Sequence, residues 1–181
     1  MADAIARKPP RIEARRWLTP LPAATRFSLR GADDARLAAS RAFGVELPAR
    51  ACRAASVGER SALWLGPDEH LLVAPEAEAT SLAAALAAAL SPVPHSLVDV
   101  SHRQVAFAVH GPHAEWLLGS GCPLDLDIAA FPVDMCTRTV FVKAEILLWR
   151  TAQDAFRVEV WRSFAEYVVA HLAETALERS A

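Results

Sequence analysis

The sequence is poor in the residues that build cofactor cradles. Its seven glycines are scattered singly. Neither G-x-G-x-x-G nor G-x-x-x-x-G-K-[ST] occurs, which argues against a glycine-rich loop holding a dinucleotide or ATP. There is no G-x-S-x-G nucleophile turn and no H-E-x-x-H. His110 and His113 are close in sequence but straddle Gly111-Pro112, where their side chains diverge, so no metal site is expected. The three cysteines, Cys52, Cys122 and Cys136, form an odd set without C-x-x-C spacing. That argues against a disulfide framework and a structural zinc site, and Cys122 and Cys136 read as small buried hydrophobes. No apolar run approaches the ~20 residues needed to cross a bilayer; SLAAALAAAL is too short and ends at Ser91-Pro92. Charges and Pro9-Pro10 interrupt the first 21 residues before any apolar core, so no secretory signal is expected and the location expected is cytoplasmic.

Charge of one sign is also lacking. The net charge is −2, which gives no global case for nucleic acid or membrane binding. The distribution is uneven, however. Residues 1–30 carry seven Lys/Arg against two Asp/Glu, a surplus of +5 that leaves −7 on residues 31–181. Residues 1–25, with four prolines and no sustained period, read as a flexible basic arm. With 53% hydrophobic and 22% charged residues, the remainder, 26–181, has ample material for one domain with a large core.

Periodicity places the elements. RFSLR (26–30) is a short strand, and Asp33 or Asp34 is positioned to cap a helix over 35–43 that stops at Gly44. Strands follow at 52–57, 61–65 and 70–74, the last two joined by the turn Gly66-Pro67-Asp68-Glu69. Leu82, Leu86 and Leu90 recur at four-residue spacing along a helix over 79–90. After Pro92-Val93-Pro94, the stretch VDVSHRQVAFAVHGPHAEWLLGSG reads as strand, polar turn, strand and short helix. Val105, Phe107 and Val109 share one face of its second strand. Pro112 suits the first helical position, and Gly119 or Gly121 suits the end. Residues 138–150 alternate over a run that bends at Lys143-Ala144, and 156–160 is a further strand. Ser163-Phe164-Ala165-Glu166 has the form of a capping box, opening a helix whose apolar face carries Phe164, Tyr167, Val168, His171 and Leu172. Strands in groups separated by single helices predict an α+β fold of antiparallel sheets with helices packed on them, in two units of about 26–91 and 95–177.

Two polar sets are candidate sites. Asp99, Ser101, His102 and Arg103 cluster at a strand end, where scaffolds often present function; the alternative is that Asp99 and Ser101 bond the turn backbone. Arg138, Arg150, Arg157 and Arg162 interleave with Trp149 and Trp161. That pattern suits an anion site or, better, a protein interface, where Trp and Arg dominate binding energy. The interface candidates are Trp149, Arg157, Trp161 and Arg162.

GCPLDLD, CTRT and FRVEVWRSFAEY, with FSLRG and LWLGPDEHLLVA, closely resemble the gamma-subunit family of heterotetrameric sarcosine oxidase over about residues 26–177. Asp99, Ser101, His102, Gly111, Pro112 and Ala114 also match the D-x-S-H and G-P-x-A positions of the folate-binding aminomethyltransferase superfamily. That second resemblance implies a reduced version of the glycine cleavage T-protein fold. Where those transferases carry an N-E-x-G-G-x-x-D-D hairpin, this chain reads VKAEILLWR, with Ala144-Glu145 in place of the aspartate pair. The resemblance implies folate-like candidates Asp99, His102, Arg103 and Glu145, but no cofactor and no catalytic residue on this chain. It further implies FAD, FMN, NAD, zinc and tetrahydrofolate on the other subunits, and alpha, beta and delta as partners, chiefly alpha. The assembly would demethylate sarcosine oxidatively to glycine, with hydrogen peroxide and formaldehyde or methylenetetrahydrofolate. The rival reading is a stand-alone tetrahydrofolate-binding or one-carbon transfer protein using Asp99–Arg103 and Glu145.

Overall fold

Strand alternation sorts this chain into four layers, helices outside and two sheets inside. The computed structural model describes residues 10–178. In chain order the elements are β1 (Leu18–Pro20), β2 (Ala24–Gly31), α1 (Asp33–Phe43), β3 (Ala54–Val57), β4 (Arg60–Gly66) and β5 (Glu69–Pro75), then α2 (Ala79–Leu90) and β6 (His95–Asp99). They continue with β7 (Gln104–His110), α3 (Ala114–Gly119), β8 (Cys136–Phe141), β9 (Ala144–Ala152), β10 (Ala155–Trp161) and α4 (Ala165–Glu178). All strand pairs are antiparallel. One sheet has the order β3-β4-β5-β2-β6, the other β1-β7-β10-β9-β8.

Phe27, Leu29, Leu72 and Ala74 of the first sheet pack under Phe43 of α1 and Leu82, Leu86 and Leu90 of α2. Phe107, Val109, Ile146, Leu148, Val158 and Val160 of the second sheet pack under Leu117 and Leu118 of α3 and Val168 and Leu172 of α4. The opposite faces of the two sheets meet each other: Leu63, Leu71 and Val73 pack against Cys136, Leu147 and Trp149. A strand buried on both faces loses its alternation, and β9 is buried continuously from Ile146 to Arg150.

The arm reading fails for part of 1–25. Residues 1–9 lie outside the described residues, but β1 pairs with β7 through Leu18↔Val109, and Leu18 is fully buried. Pro20 is tolerated because β1 is an edge strand, where a missing N–H breaks no ladder. The boundary at Pro92–Pro94 also moves. The strand after it, β6, adds to β2 in the first sheet, so the chain passes between sheets at the turn 100–103. Pro112 sits in a turn ahead of α3, which starts at Ala114, rather than at the first helical position. Neither Gly119 nor Gly121 adopts a positive φ. Gly121 serves a close approach instead: a Cβ there would lie 2.8 Å from Val142 Cγ2 and 2.9 Å from Phe141 Cε2. The α1 cap falls on Ala32, with Asp33 and Asp34 in the first turn and Gly44 closing the helix at φ 77°. Ser163 precedes the cap position of α4, and Glu166 Oε1 accepts from the Arg11 N–H at 3.2 Å. The α4 core face is Ala165, Val168, Val169 and Leu172, whereas Phe164 and Tyr167 are each 40% exposed.

Candidate functional site

Two of the arginines singled out by sequence, Arg157 and Arg138, join the sheets through partners that the sequence did not mark. Arg26 on β2 and Glu159 on β10 face each other between the sheets, 2% and 0% exposed. Arg26 Nε donates to Glu159 Oε2 at 2.7 Å and its Nη1 to the Ala24 carbonyl at 2.9 Å. Arg157, two residues from Glu159 and on the same face of β10, donates through Nε to Oε1 at 2.8 Å. Arg157 is therefore an internal partner of a buried carboxylate, not an exposed interface residue. Nearer the surface Arg138 makes a two-pronged contact from β8 to Glu69 on β5, through Nη1 at 2.9 Å and through Nη2. The Arg138 guanidinium holds the Glu69 carboxyl below its ordinary pKa, and Glu69 in turn raises that of Arg138.

Arg150 is the largest fully buried side chain. Its Nη1 donates to the carbonyls of Leu126 and Phe131 at 2.8 and 2.9 Å, its Nε to the Gln153 carbonyl at 3.0 Å, and its Nη2 to Glu115. Its guanidinium also lies 4.7 Å from the Phe156 ring centroid. It pins the irregular connection 122–135 to the sheet and is not free to bind an external anion. Trp149, likewise expected at an interface, is 7% exposed in the contact between the sheets.

The Asp99–Arg103 turn divides. Asp99 Oδ1 accepts from the Ser101 N–H at 2.8 Å and from its hydroxyl, while Ser101 Oγ accepts from the Arg26 N–H at 2.9 Å. These two residues brace the crossing between sheets. His102 and Arg103 are exposed, and the Arg103 guanidinium stacks 5.5 Å from the Trp161 ring centroid. Arg162 donates its backbone N–H to the Arg103 carbonyl at 3.0 Å. Glu145, the second residue of β9, lies opposite Val140 and one residue before Ile146, which pairs with Val160. By that register Glu145 and Trp161 stand at one end of the second sheet.

Among the described residues the four folate-like candidates do not line one cleft together. Asp99 is committed to the turn. Among the described residues, the clefts of about 530, 540 and 260 Å³ are not lined by Asp99, Arg103 or Glu145. His102 alone reaches one, the smallest, beside Ser101, Gln104 and Arg162. What this end presents is Trp161 under the Arg103 guanidinium, followed along the chain by Phe164 and Tyr167, all three aromatics 40% exposed. Sequence periodicity assigned Phe164 and Tyr167 to the core of α4. The signal that places them outside is the alternative stripe Ala165, Val168, Val169 and Leu172.

No described helix is long and apolar enough to cross a membrane. Comparison with known proteins gives consistent results. The "Sarcosine oxidase, gamma subunit family" model matches residues 30–178. A sarcosine oxidase subunit gamma from Corynebacterium sp. (strain P-1) is 37% identical over 142 residues, covering 78% of this chain and 69% of its own. A chain of the heterotetrameric sarcosine oxidase from Corynebacterium sp. U-96, solved in complex with pyrrole 2-carboxylate, superposes with a TM-score of 0.84 at 34% identity. That match covers 91% of this chain and 85% of the other. The glycine cleavage aminomethyltransferase T from Bartonella henselae shares the fold, with a TM-score of 0.66 at 13% identity over 86% of this chain and 44% of its own. The two-sheet architecture is thus a reduced aminomethyltransferase-like fold, and the chain belongs to the sarcosine oxidase gamma subunit family.

Proposed function

We propose that this chain is an accessory subunit of a heterotetrameric sarcosine oxidase, packed chiefly on the alpha subunit and contributing no reacting group. The observation that carries this reading is the match to a chain of a solved heterotetramer over 91% of the present one. The side-chain chemistry supports it. Arg26, Arg150, Arg157, Glu159 and Asp99 are engaged in internal contacts, and the exposed set of Trp161, Phe164, Tyr167 and Arg103 has the composition of an interface hot spot. FAD, FMN, NAD, zinc and tetrahydrofolate are then carried by the other three subunits. With dioxygen as the oxidant, reduced to hydrogen peroxide, the assembly oxidises sarcosine to glycine, the methyl carbon leaving as formaldehyde after hydrolysis or as methylenetetrahydrofolate where tetrahydrofolate accepts it. The docking residues proposed are Trp161 and Arg162, with Phe164 and Tyr167 next along the chain.

Affinity purification from the native cell tests the reading. A yellow complex of four polypeptides with sarcosine-dependent peroxide production is expected. Trp161→Ala should weaken retention of the partners while leaving the melting temperature of the isolated chain within a few degrees. A colourless monomer that binds tetrahydrofolate would overturn the accessory role.

A further inference from the structure

At the end of the second sheet opposite Trp161, an open groove of about 530 Å³ runs between the start of the described chain, the β7–α3 turn and the last turns of α4. Arg15, Arg16 and Trp17 form one wall, His113 and Trp116 another, and Leu177, 70% exposed, lies along the rim. Among the described residues no Asp or Glu lines it, although the chain carries 21 of them. Of the acids close in sequence to the lining residues, Glu115 pairs with Arg150 and Glu178 lines a neighbouring cleft, while Glu13 and Glu174 are exposed outside the lining. Arg15 and Arg16 are both exposed. The result is a concave, partly aromatic surface with positive charge on its rim.

We infer that this groove receives an acidic segment of a partner subunit, with an aromatic or branched side chain seated between Trp17 and Trp116 and carboxylates meeting Arg15 and Arg16. The inference rests on the accessory-subunit reading and deepens it by naming a second contact. Charge complementarity selects the occupant: a basic or neutral segment would leave both guanidiniums unanswered, while carboxylates on arginine form charge-assisted pairs. Distance is compatible with one partner reaching both contacts. Trp161 pairs with Gln104 at one end of β10 and Ala155 with His110 at the other, a separation of about 20 Å at the usual rise per residue. An interface of ordinary size, about 800 Å² per partner, covers that span.

The test uses the assembled four-subunit complex. A p-benzoylphenylalanine replacing Leu177 is photolysed in the complex and the linked peptide sequenced by mass spectrometry. In parallel, Arg15→Glu/Arg16→Glu and the neutral Arg15→Gln/Arg16→Gln are compared for partner affinity at two salt concentrations. The expected link is to another subunit, at a segment with several Asp or Glu around an apolar anchor. Charge reversal should weaken binding at least tenfold, neutralisation less, and added salt should narrow the difference. Circular dichroism of both variants keeps misfolding from counting as support. A link within this chain, to a second copy, or to a basic segment would overturn the inference, as would a reversal that changes affinity less than twofold. If the complex forms and the groove variants bind normally, only the groove assignment falls. If no complex forms, the accessory reading falls with it.

Discussion

Removing the Glu159 carboxylate should destabilise this protein more than removing either arginine that pairs with it. Glu159 is fully buried and serves two cations, Arg26 at 2.7 Å and Arg157 at 2.7 Å. In Glu159→Gln both guanidiniums stay between the sheets without a counter-charge. Breaking a buried pair in this way costs about 3–5 kcal/mol, because the orphaned charge keeps its desolvation penalty. For a chain of this size each kcal/mol moves the melting temperature by about 2–4 °C, so a fall of about 6–20 °C is expected. Arg26→Met leaves Glu159 still paired with Arg157, and its cost should be smaller despite a larger change in shape. The assay is urea unfolding followed by circular dichroism, with Arg26→Met, Glu159→Gln and the double variant closing a cycle. The double variant should lose less than the sum of the singles. A Glu159→Gln cost below about 1 kcal/mol, or one smaller than that of Arg26→Met, would refute the assignment of this triad as the electrostatic joint of the two sheets.

Arg150→Met should cost about 3 kcal/mol, since several carbonyls lose charged donors, and limited proteolysis should then cut within 122–135 faster than elsewhere. Gly121→Ala, whose new methyl would meet Phe141 and Val142 at under 3 Å, should lose about 1–3 kcal/mol by overpacking, measured by chemical denaturation. Burial holds the His70 imidazole below its ordinary 6.5, with its Nε2–H donated to the Pro48 carbonyl at 2.8 Å. The unfolded chain therefore takes up that proton first: stability should be indifferent to this group above pH 6.5 and fall as pH drops below it. His70→Gln should flatten that part of the stability profile. The Cys136 thiol is pushed up to about 12, chiefly by burial, and Cys122 is buried as well. Titration with a disulfide reagent near pH 8 should find Cys52 fast and the other two reactive only on unfolding.

Local pattern carried much of this architecture. Alternation at 104–110 and the leucine spacing at 79–90 place β7 and α2 at the bounds observed, and Gly66-Pro67-Asp68-Glu69 marks the β4–β5 hairpin. What escaped depends on partners distant in sequence. β1 is three residues of proline-rich chain whose only reason to be extended is the free edge of β7, some 90 positions away. Arg26 and Glu159 are 133 residues apart, and nothing near either announces the other.

The misplaced site residues share one physical cause. A strand with one face in water shows its polar residues on the wet side, so Trp149 and Arg157, paired across β9 and β10, read as an exposed, interface-forming row. In a four-layer fold that side of the sheet is covered by a second sheet, and polar residues there persist only if each finds a partner. Arg157 found Glu159 and Trp149 joined the apolar contact; Arg150, on the opposite, helix-covered face with Phe156, found the carbonyls of a long irregular connection. Trp161 escaped burial because it ends β10, where the chain turns toward α4. The residues left for recognition are thus those at strand ends. In the second sheet those ends present two unlike surfaces, the Trp161–Arg103 face and the Arg15–Arg16 groove, which one partner must match together if both bind it.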